Sequence, residues 1–275
     1  MIFLLLGIFS SAMVSILMRL SETRIRSNLG MLVMNYLMCT VLAVLYTDAW
    51  KLGPELHITA GLGVVNGVLY LTSFSLLQRN VQQSGVVLPA TFMKLGLLVS
   101  IAVSVCLFRE VPSFLQTLGF ALAVAAIILI NYQKGEGKSG FKMGLIWLLL
   151  CGGMADAMSK IYEEIGWAEL APHFLFFTFA TALPFCTLLM VLQGQRVGKW
   201  EAVFGLLIGI PNFFSSKFLL RALEAIPAVV AYPVYSVATI LVVTLTGVLL
   251  FRERLEQKQW LGLGMILAAL VLLNT

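Results

Sequence analysis

The chain has 275 residues, of which 60% are hydrophobic and only 11% are charged, and its formal net charge is +5. A soluble domain carries about 25% charged residues, so this composition excludes a water-exposed globular surface. Ten membrane-spanning helices of about 20 residues use most of the length and leave no room for a separate soluble enzyme domain. The positive charges form no tract, so nucleic-acid binding is unsupported.

Apolar runs separated by short polar segments follow one another along the whole chain. Apolar and polar residues do not alternate within these runs, as they do in the strands of a membrane barrel. A helix forms all of its backbone hydrogen bonds internally, as the hydrocarbon core requires, so we interpret the runs as helices. The first run follows Met1 without a basic region, so we interpret it as a retained helix and not as a signal peptide. The predicted spans are residues 2–20, 29–47, 59–79, 85–107, 113–132, 143–163, 171–192, 202–222, 227–250 and 258–274.

Residues 76–131 align with residues 219–274 without a gap, at a shift of 143 (219 − 76). The matches include Phe108-Arg109-Glu110 with Phe251-Arg252-Glu253, Gln116 with Gln259, and Asn131 with Asn274. Shared apolar composition does not readily place such residues in register.

The alignment predicts two units, residues 1–132 and 143–275, joined by a loop at 133–142. Each unit holds five spans, and because five is odd, the second copy enters the membrane from the opposite side. The predicted fold class is therefore an all-α membrane protein with ten transmembrane helices in two inverted five-helix repeats. This architecture is typical of secondary transporters, whose site lies near the midplane where the halves meet.

Two stretches in the second unit resemble the closing helices of the EamA family, in the drug/metabolite transporter superfamily. They are Ala222–Tyr235, with the sequence ALEAIPAVVAYPVY, and Phe251–Leu255 followed by Gln259–Gly262. A looser copy in the first unit comprises Pro89, Phe108–Glu110 and Gln116–Gly119. The resemblance implies a carrier of small metabolites or drugs, often an exporter. It also implies a cavity lined by the third, fourth, eighth and ninth helices, with the first and the sixth.

Two ionisable residues lie deep inside predicted spans, where a charge is costly and by default functional. Lys94 is about 16 Å from either end of its helix, too far for its side chain to reach the interface. We expect it to bind an anionic substrate group or to take part in proton coupling; an ion pair between helices is the alternative. Asp156 is expected to bind an amine or a proton, with a local pair to Lys160 as the alternative. Together the two charges would suit a zwitterion such as an amino acid.

Further candidates for the cavity wall are polar or aromatic residues inside spans. Two prolines early in the fourth and ninth spans predict helix kinks at a gate. Buried serine and asparagine more often bond across helices, which is the alternative for each of them. The substrate-binding candidates are Asn66, Tyr70, Asn212, Ser216, Tyr232 and Tyr235, and the gating candidates are Pro89 and Pro233.

The leading functional interpretation is a secondary-active or facilitative transporter of small metabolites or drugs in the cell membrane. One form of this interpretation is an exporter of amino acids or related solutes. The expected partners are a small-molecule substrate, the lipid bilayer and, for an active carrier, protons. A non-transporting sensor or scaffold is the first alternative, and a membrane-embedded enzyme the second. No cofactor, metal ligand set or catalytic residue is expected, and the glycine-containing loop at 135–139 lacks the full pattern of a nucleotide-binding loop.

The orientation of the bundle follows from its basic residues, which are concentrated in one set of loops. The odd-numbered loops hold Arg19, Arg24, Arg26, Arg79, Lys134, Lys138, Lys142, Arg196, Lys199, Arg252, Arg254 and Lys258, whereas the even-numbered loops hold Lys51, Arg109, Lys160 and Arg221. The positive-inside rule places the richer set in the cytoplasm and both termini outside. The EamA resemblance more often implies both termini inside.

A fusion at the C-terminus tests this orientation. A reporter that is active only in the cytoplasm, fused after Thr275, is expected to stay inactive, because the charge count places that end outside. The same reporter fused in the loop at 133–142 is the control and should be active. An active reporter at Thr275 with an inactive one in the loop would reverse the assignment.

Overall fold

The computed structural model describes residues 2–47, 54–108, 113–131, 143–226, 228–252 and 257–273, and does not describe the side chains of some positions inside these ranges. Over these ranges the chain is helical and contains no strand, so the predicted all-α class is confirmed for them. The helices are α1 (Ile2–Ser21), α2 (Asn28–Leu45), α3 (Pro54–Ser84), α4 (Val87–Leu95), α5 (Leu97–Phe108), α6 (Phe114–Asn131), α7 (Met143–Ile165), α8 (Ala171–Leu192), α9 (Lys199–Leu223), α10 (Ala228–Leu249) and α11 (Gln257–Leu273).

Seven stretches of the described residues are helical, long enough and apolar enough to cross a bilayer. They are Ile2–Ser21, Asn28–Leu45, Glu55–Ser84, Pro89–Leu107, Met143–Ile165, Ala168–Leu192 and Lys199–Leu223. Large apolar side chains such as Phe9, Val68 and Leu188 face outward. An outer surface as apolar as the interior requires lipid around it, so the protein is a multi-pass membrane protein.

The third helix is longer than predicted, because α3 runs over Pro54–Ser84 instead of residues 59–79. The additional turn after residue 79 is polar, and its side chains form hydrogen bonds. Asn80 Nδ2 donates to the Leu76 carbonyl at 2.8 Å. The amides of Gln82 and Asn28 exchange two hydrogen bonds of 2.8 and 3.0 Å, which join α3 to the start of α2. Gly85, with a φ of 76°, then ends the helix in the left-handed conformation that glycine adopts readily.

The fourth predicted span is interrupted at Gly96, between α4 and α5. The Gly96 N–H bonds the carbonyl of Met93, three residues earlier, at 3.2 Å. A Cβ atom at Gly96 would lie 2.6 Å from the Gly153 nitrogen, so the two backbones touch where α4 and α5 cross α7. Pro89 was the predicted kink in this span, but it lies in the first turn of α4, where a proline costs no helical hydrogen bond.

Two pairs of glycines, each spaced i, i+4, allow close contacts between long helices. Gly63 and Gly67 lie in α3 against the backbone of α8, where a Cβ on Gly63 would be 3.0 Å from the Phe174 carbonyl oxygen. Gly205 and Gly209 lie in α9 against α2, where a Cβ on Gly209 would be 2.7 Å from the Asn35 carbonyl oxygen. Both pairs therefore bring helix backbones into close contact, as small residues do between membrane helices.

The interior has two main apolar clusters that follow these contacts. The larger one lies among α2, α3, α8 and α9 and contains the fully buried rings of Tyr36, Phe174 and Phe179. The second lies among α1, α4, α7 and α9–α11, around Phe92 and Tyr235.

The glycine contacts predict a difference between two alanine substitutions in α3. Gly67→Ala places a methyl group against the backbone of Thr178, so we expect a loss of about 1–3 kcal/mol in stability and a lower Tm in detergent. Gly61→Ala is the matched control, because nothing lies within 4 Å of a Cβ there and alanine favours the helix. Equal Tm values for the two variants would mean that the α3–α8 contact does not depend on Gly67.

Candidate functional site

A small cavity lies where α1, α3, α4, α7, α9 and α10 converge. The centre of a water molecule can reach about 40 Å³ of it, and one water takes roughly 10–15 Å³ of such volume, so there is room for a few waters. The apolar part of its wall comprises Val14, Phe74, Leu77, Ala90, Met93 and Leu219. Its polar part comprises Ser11, Ser15, Tyr70, Asp156, Asn212, Ser215, Ser216 and Tyr235.

Two consecutive serines of α9 connect the opposite walls of the cavity. The Ser216 hydroxyl lies 2.7 Å from the Tyr70 hydroxyl on α3, and the Ser215 hydroxyl lies 2.7 Å from the Tyr235 hydroxyl on α10. Both distances are those of good O–H···O hydrogen bonds. Successive helical residues point about 100° apart, which lets neighbouring serines reach helices on different sides. The Tyr70 ring is held by Phe74, stacked at 5.8 Å between ring centroids.

Asp156 is the acidic residue of this lining, and the packing of α7 places it there. Gly152 and Gly153, one turn earlier, let α7 lie against the α4–α5 junction, and the Ser100 hydroxyl donates to the Gly153 carbonyl at 3.1 Å. Asp156 follows these glycines on α7 and is half-buried. Lys160, the local partner of Asp156 in the alternative interpretation, forms ion pairs with Glu164 at 2.5 Å and with Glu163 at 3.2 Å.

The two asparagines predicted for the wall have different surroundings. Asn212 lines the cavity, and its side-chain amide donates to Asn35 Oδ1 on α2 at 3.2 Å. Asn66 is buried on another face of α3, where its amide donates to the Thr178 hydroxyl on α8 at 3.4 Å. Asn66 thus bonds across helices, which was the alternative for each buried asparagine, and it is not part of the cavity lining.

Five of the predicted substrate-binding residues therefore lie in one cavity: Tyr70, Asp156, Asn212, Ser216 and Tyr235. Lys94 is on α4, and Tyr232 and Pro233 are on α10, but their side chains lie outside the described residues. Pro89 is buried at the start of α4.

Sequence reasoning missed two backbone features beside the cavity. The first is the break at Gly96, which a single glycine within an apolar run did not reveal. The second is Pro211, inside α9 and next to Asn212. A proline inside a helix has no N–H to donate to the carbonyl four residues earlier. Pro211 lies well inside a predicted span, so the sequence alone could have indicated an interrupted helix there.

The lining offers a carboxylate, several hydroxyl groups and aromatic faces in one cavity. Such a set can bind a cation or an amine through Asp156 and polar groups through the hydroxyls. An occupant larger than a few waters requires the walls to separate, and the hydroxyl bridges across α9 are the contacts that would have to open.

The Tyr70–Ser216 bond predicts a measurable coupling between the two residues. In a double-mutant cycle of Tyr70→Phe and Ser216→Ala, we expect a coupling of about 0.5–1.5 kcal/mol in the free energy of unfolding, since either change alone removes the same bond. Tyr70→Phe combined with Ser159→Ala is the control, because Ser159 bonds its own helix at the Ala155 carbonyl. Strictly additive effects for the first pair would show that the bond does not contribute to stability.

Comparison with known proteins connects this chain to a family. Residues 142–275 match the model of the EamA-like transporter family. An uncharacterized protein of Haemophilus influenzae is 26% identical over 213 residues, which cover 74% of this chain and 72% of that protein. A probable 4-amino-4-deoxy-L-arabinose-phosphoundecaprenol flippase subunit, ArnE of Proteus mirabilis, is 32% identical over 94 residues, which cover 30% of this chain and 82% of that protein.

A crystal structure of a protein with 14% sequence identity superposes with a TM-score of 0.64, over 98% of this chain and 97% of the other. That likeness shows a common fold. With the family match, the relatives and the fold in agreement, the chain belongs to the EamA family of the drug/metabolite transporter superfamily.

Proposed function

We propose that this protein is a secondary-active or facilitative transporter of small organic solutes, and that its two halves alternate access to the cavity around Asp156. The observation that carries the proposal is the cavity itself. Helices from both halves of the chain line it, and the Tyr70–Ser216 hydrogen bond joins α3 in the first half to α9 in the second. A site between two halves is where alternating access requires one.

The proposed halves are residues 1–132 and 143–275, with the connection at 133–142. Residues 132–142 lie outside the described part of the chain. The family match begins at residue 142 and extends to residue 275, which supports a second unit of that extent.

The helix contacts support two inverted five-helix repeats within ten spans. In the proposed repeat, α1, α2, α3, α4–α5 and α6 correspond to α7, α8, α9, α10 and α11. If each helix is replaced by its counterpart in the other half, the observed contacts map onto other observed contacts. The α1–α9 contact becomes α7–α3, and the α2–α9 contact becomes α8–α3. The α1–α10 contact becomes the contacts of α7 with α4 and α5. The contacts of α6 with α11 and of α2 with α8 map onto themselves. A pseudo-twofold axis between the halves accounts for all of these pairings.

The gate is proposed to lie where the helix backbone is interrupted beside the cavity. The break at Gly96 and the proline at 211 supply such points in α4–α5 and α9, and Pro89 and Pro233 remain candidates at the starts of α4 and α10. Because the cavity holds only a few waters, a substrate enters after helices on one side separate. Rocking of one half against the other about the Gly96–Gly153 contact would open the cavity.

The proposed substrate class is an amine, with amino acids and related solutes as the leading group and export as the direction. Asp156 supplies the counter-charge, the hydroxyls of Tyr70 and Tyr235 supply hydrogen bonds, and Lys94 is the proposed partner of a carboxylate. The Proteus mirabilis relative is a probable flippase subunit for a 4-amino-4-deoxy-L-arabinose derivative, and this amino sugar supports amine chemistry. Asp156 is also the proposed proton carrier of an active mechanism, because an acid inside a span is a common element of proton relays.

Flux measurements test the role of Asp156. We expect Asp156→Asn to lower the flux of the transported amine at least about tenfold, because a hydrogen bond to a charged group contributes about 1.5–3 kcal/mol. The protein is reconstituted in liposomes, and labelled amino acids, amines and nucleobases are screened with and without a pH gradient. Glu164→Gln is the matched control, since it removes the same charge from the exposed side of the same helix.

Three outcomes separate the candidate functions. Flux that Asp156→Asn abolishes and Glu164→Gln preserves supports the transporter and its site. Equal flux in both variants would refute the role of Asp156. Saturable binding of a solute without flux would favour a sensor over a transporter.

A further inference from the structure

A second pocket, remote from the central cavity, opens where the α1–α2 loop meets the start of α9. Its volume is about 560 Å³, within the range of roughly 300–1,000 Å³ typical of small-ligand sites. The side chains that matter in its wall are Arg24 and Arg26 from the loop, and Lys199, Trp200 and Glu201 from the first turn of α9. The transport mechanism proposed above does not use any of them.

The loop that carries the two arginines is held in place by the single carboxylate of the pocket. Glu201 Oε1 accepts hydrogen bonds from the backbone N–H of Arg26 at 2.6 Å and of Ser27 at 3.1 Å. The Ser27 hydroxyl in turn accepts from the Gly30 N–H at 2.8 Å and caps α2. Because Glu201 is only 5% exposed and is bonded to backbone, it serves the loop and not the neighbouring cations.

The three cations of the pocket are left facing outward. Arg24 lies over the Trp200 ring, with 4.8 Å between the guanidinium carbon and the ring centroid. Among the residues that the structure describes, the side chains of Arg26 and Lys199 form no ion pair, and both are exposed. Three positive charges therefore surround a pocket whose one acid is already engaged, and such a site is complementary to an anion.

The pocket lies at the depth of lipid headgroups. It is bounded by the ends of three candidate membrane spans: Ser21 ends α1, Asn28 begins α2 and Lys199 begins α9. Trp200 is 41% exposed in the first turn of α9, a position typical of aromatic residues at the membrane interface. From Trp200 an exposed apolar stripe continues along α9 through Val203, Leu207 and Ile210, at helical spacing.

We propose that this pocket binds the phosphate group of an anionic phospholipid, whose acyl chains lie along the Trp200–Ile210 stripe of α9. Arg24, Arg26 and Lys199 bind the phosphate, and Trp200 separates the headgroup from the chains. Basic pockets between membrane helices bind anionic headgroups through the same combination of charge and depth. The stripe favours a lipid over free phosphate, because only a lipid gains from apolar surface beyond the charged site.

Native mass spectrometry of the full chain in detergent tests the proposal. Phosphatidylglycerol is titrated against the protein, with phosphatidylcholine and inorganic phosphate in parallel. Removing a cation near a lipid surface weakens binding by about fivefold, so we expect Arg24→Gln/Arg26→Gln to weaken phosphatidylglycerol binding by roughly 30-fold. The double variant Arg79→Gln/Arg196→Gln removes the same charge at the same end of the bundle but outside the pocket, and it should bind like the unmodified protein.

The arms of this experiment separate the possible results. The site is supported if the pocket variant selectively loses phosphatidylglycerol binding while its Tm in the absence of lipid equals that of the unmodified protein. Equal binding of phosphatidylglycerol by the pocket variant and the control variant would overturn it, as would equal affinity for phosphatidylcholine. Inorganic phosphate that binds as tightly as phosphatidylglycerol, and is lost in the same variant, would overturn the lipid assignment and leave a free-phosphate site. If the pocket variant does not fold, the single variants Arg24→Gln and Lys199→Gln are measured in the same way, with a smaller expected loss.

Discussion

The structure depends on close backbone contact between helices, because lipid removes the usual reason for helices to associate. Lipid tails are as apolar as leucine, so burying more apolar surface contributes little, and tight packing and buried hydrogen bonds must hold the bundle together. Gly67 against α8, Gly209 against α2 and Gly96 against Gly153 supply that packing. All three contacts join the proposed halves.

The same contacts determine which polar groups meet in the cavity. The glycine pair of α9 fixes that helix against α2, and this orientation directs Ser216 towards Tyr70 on α3 and Ser215 towards Tyr235 on α10. The corresponding pair of α3 fixes it against α8, which points Asn66 towards Thr178 and leaves Tyr70 for the cavity. Direct bonds between hydroxyl groups result, and in the proposed transport cycle they would be exchanged for bonds to a substrate.

The two pockets have opposite electrostatic character and different surroundings. The central cavity contains the carboxylate of Asp156, whereas the interfacial pocket is rich in guanidinium and ammonium groups. The first lies between membrane spans and the second at their ends. In the second pocket, the α1–α2 loop belongs to the first proposed half and α9 to the second. A headgroup held there contacts both halves, as Glu201 already does through its bonds to Arg26 and Ser27.

The sequence by itself determined the class of the protein, the helical segments and the placement of Asp156 inside a span, because hydropathy and segment length are local properties. It also indicated the family. Only the tertiary structure decided that Asn212 faces the cavity while Asn66 faces α8, and that the fourth span is interrupted at Gly96. The physical reason is that these helices are apolar on nearly every face, so periodicity cannot tell the lipid side from the packed side. Rotation about each helix axis is set by its neighbours, and those are known only once the bundle has formed.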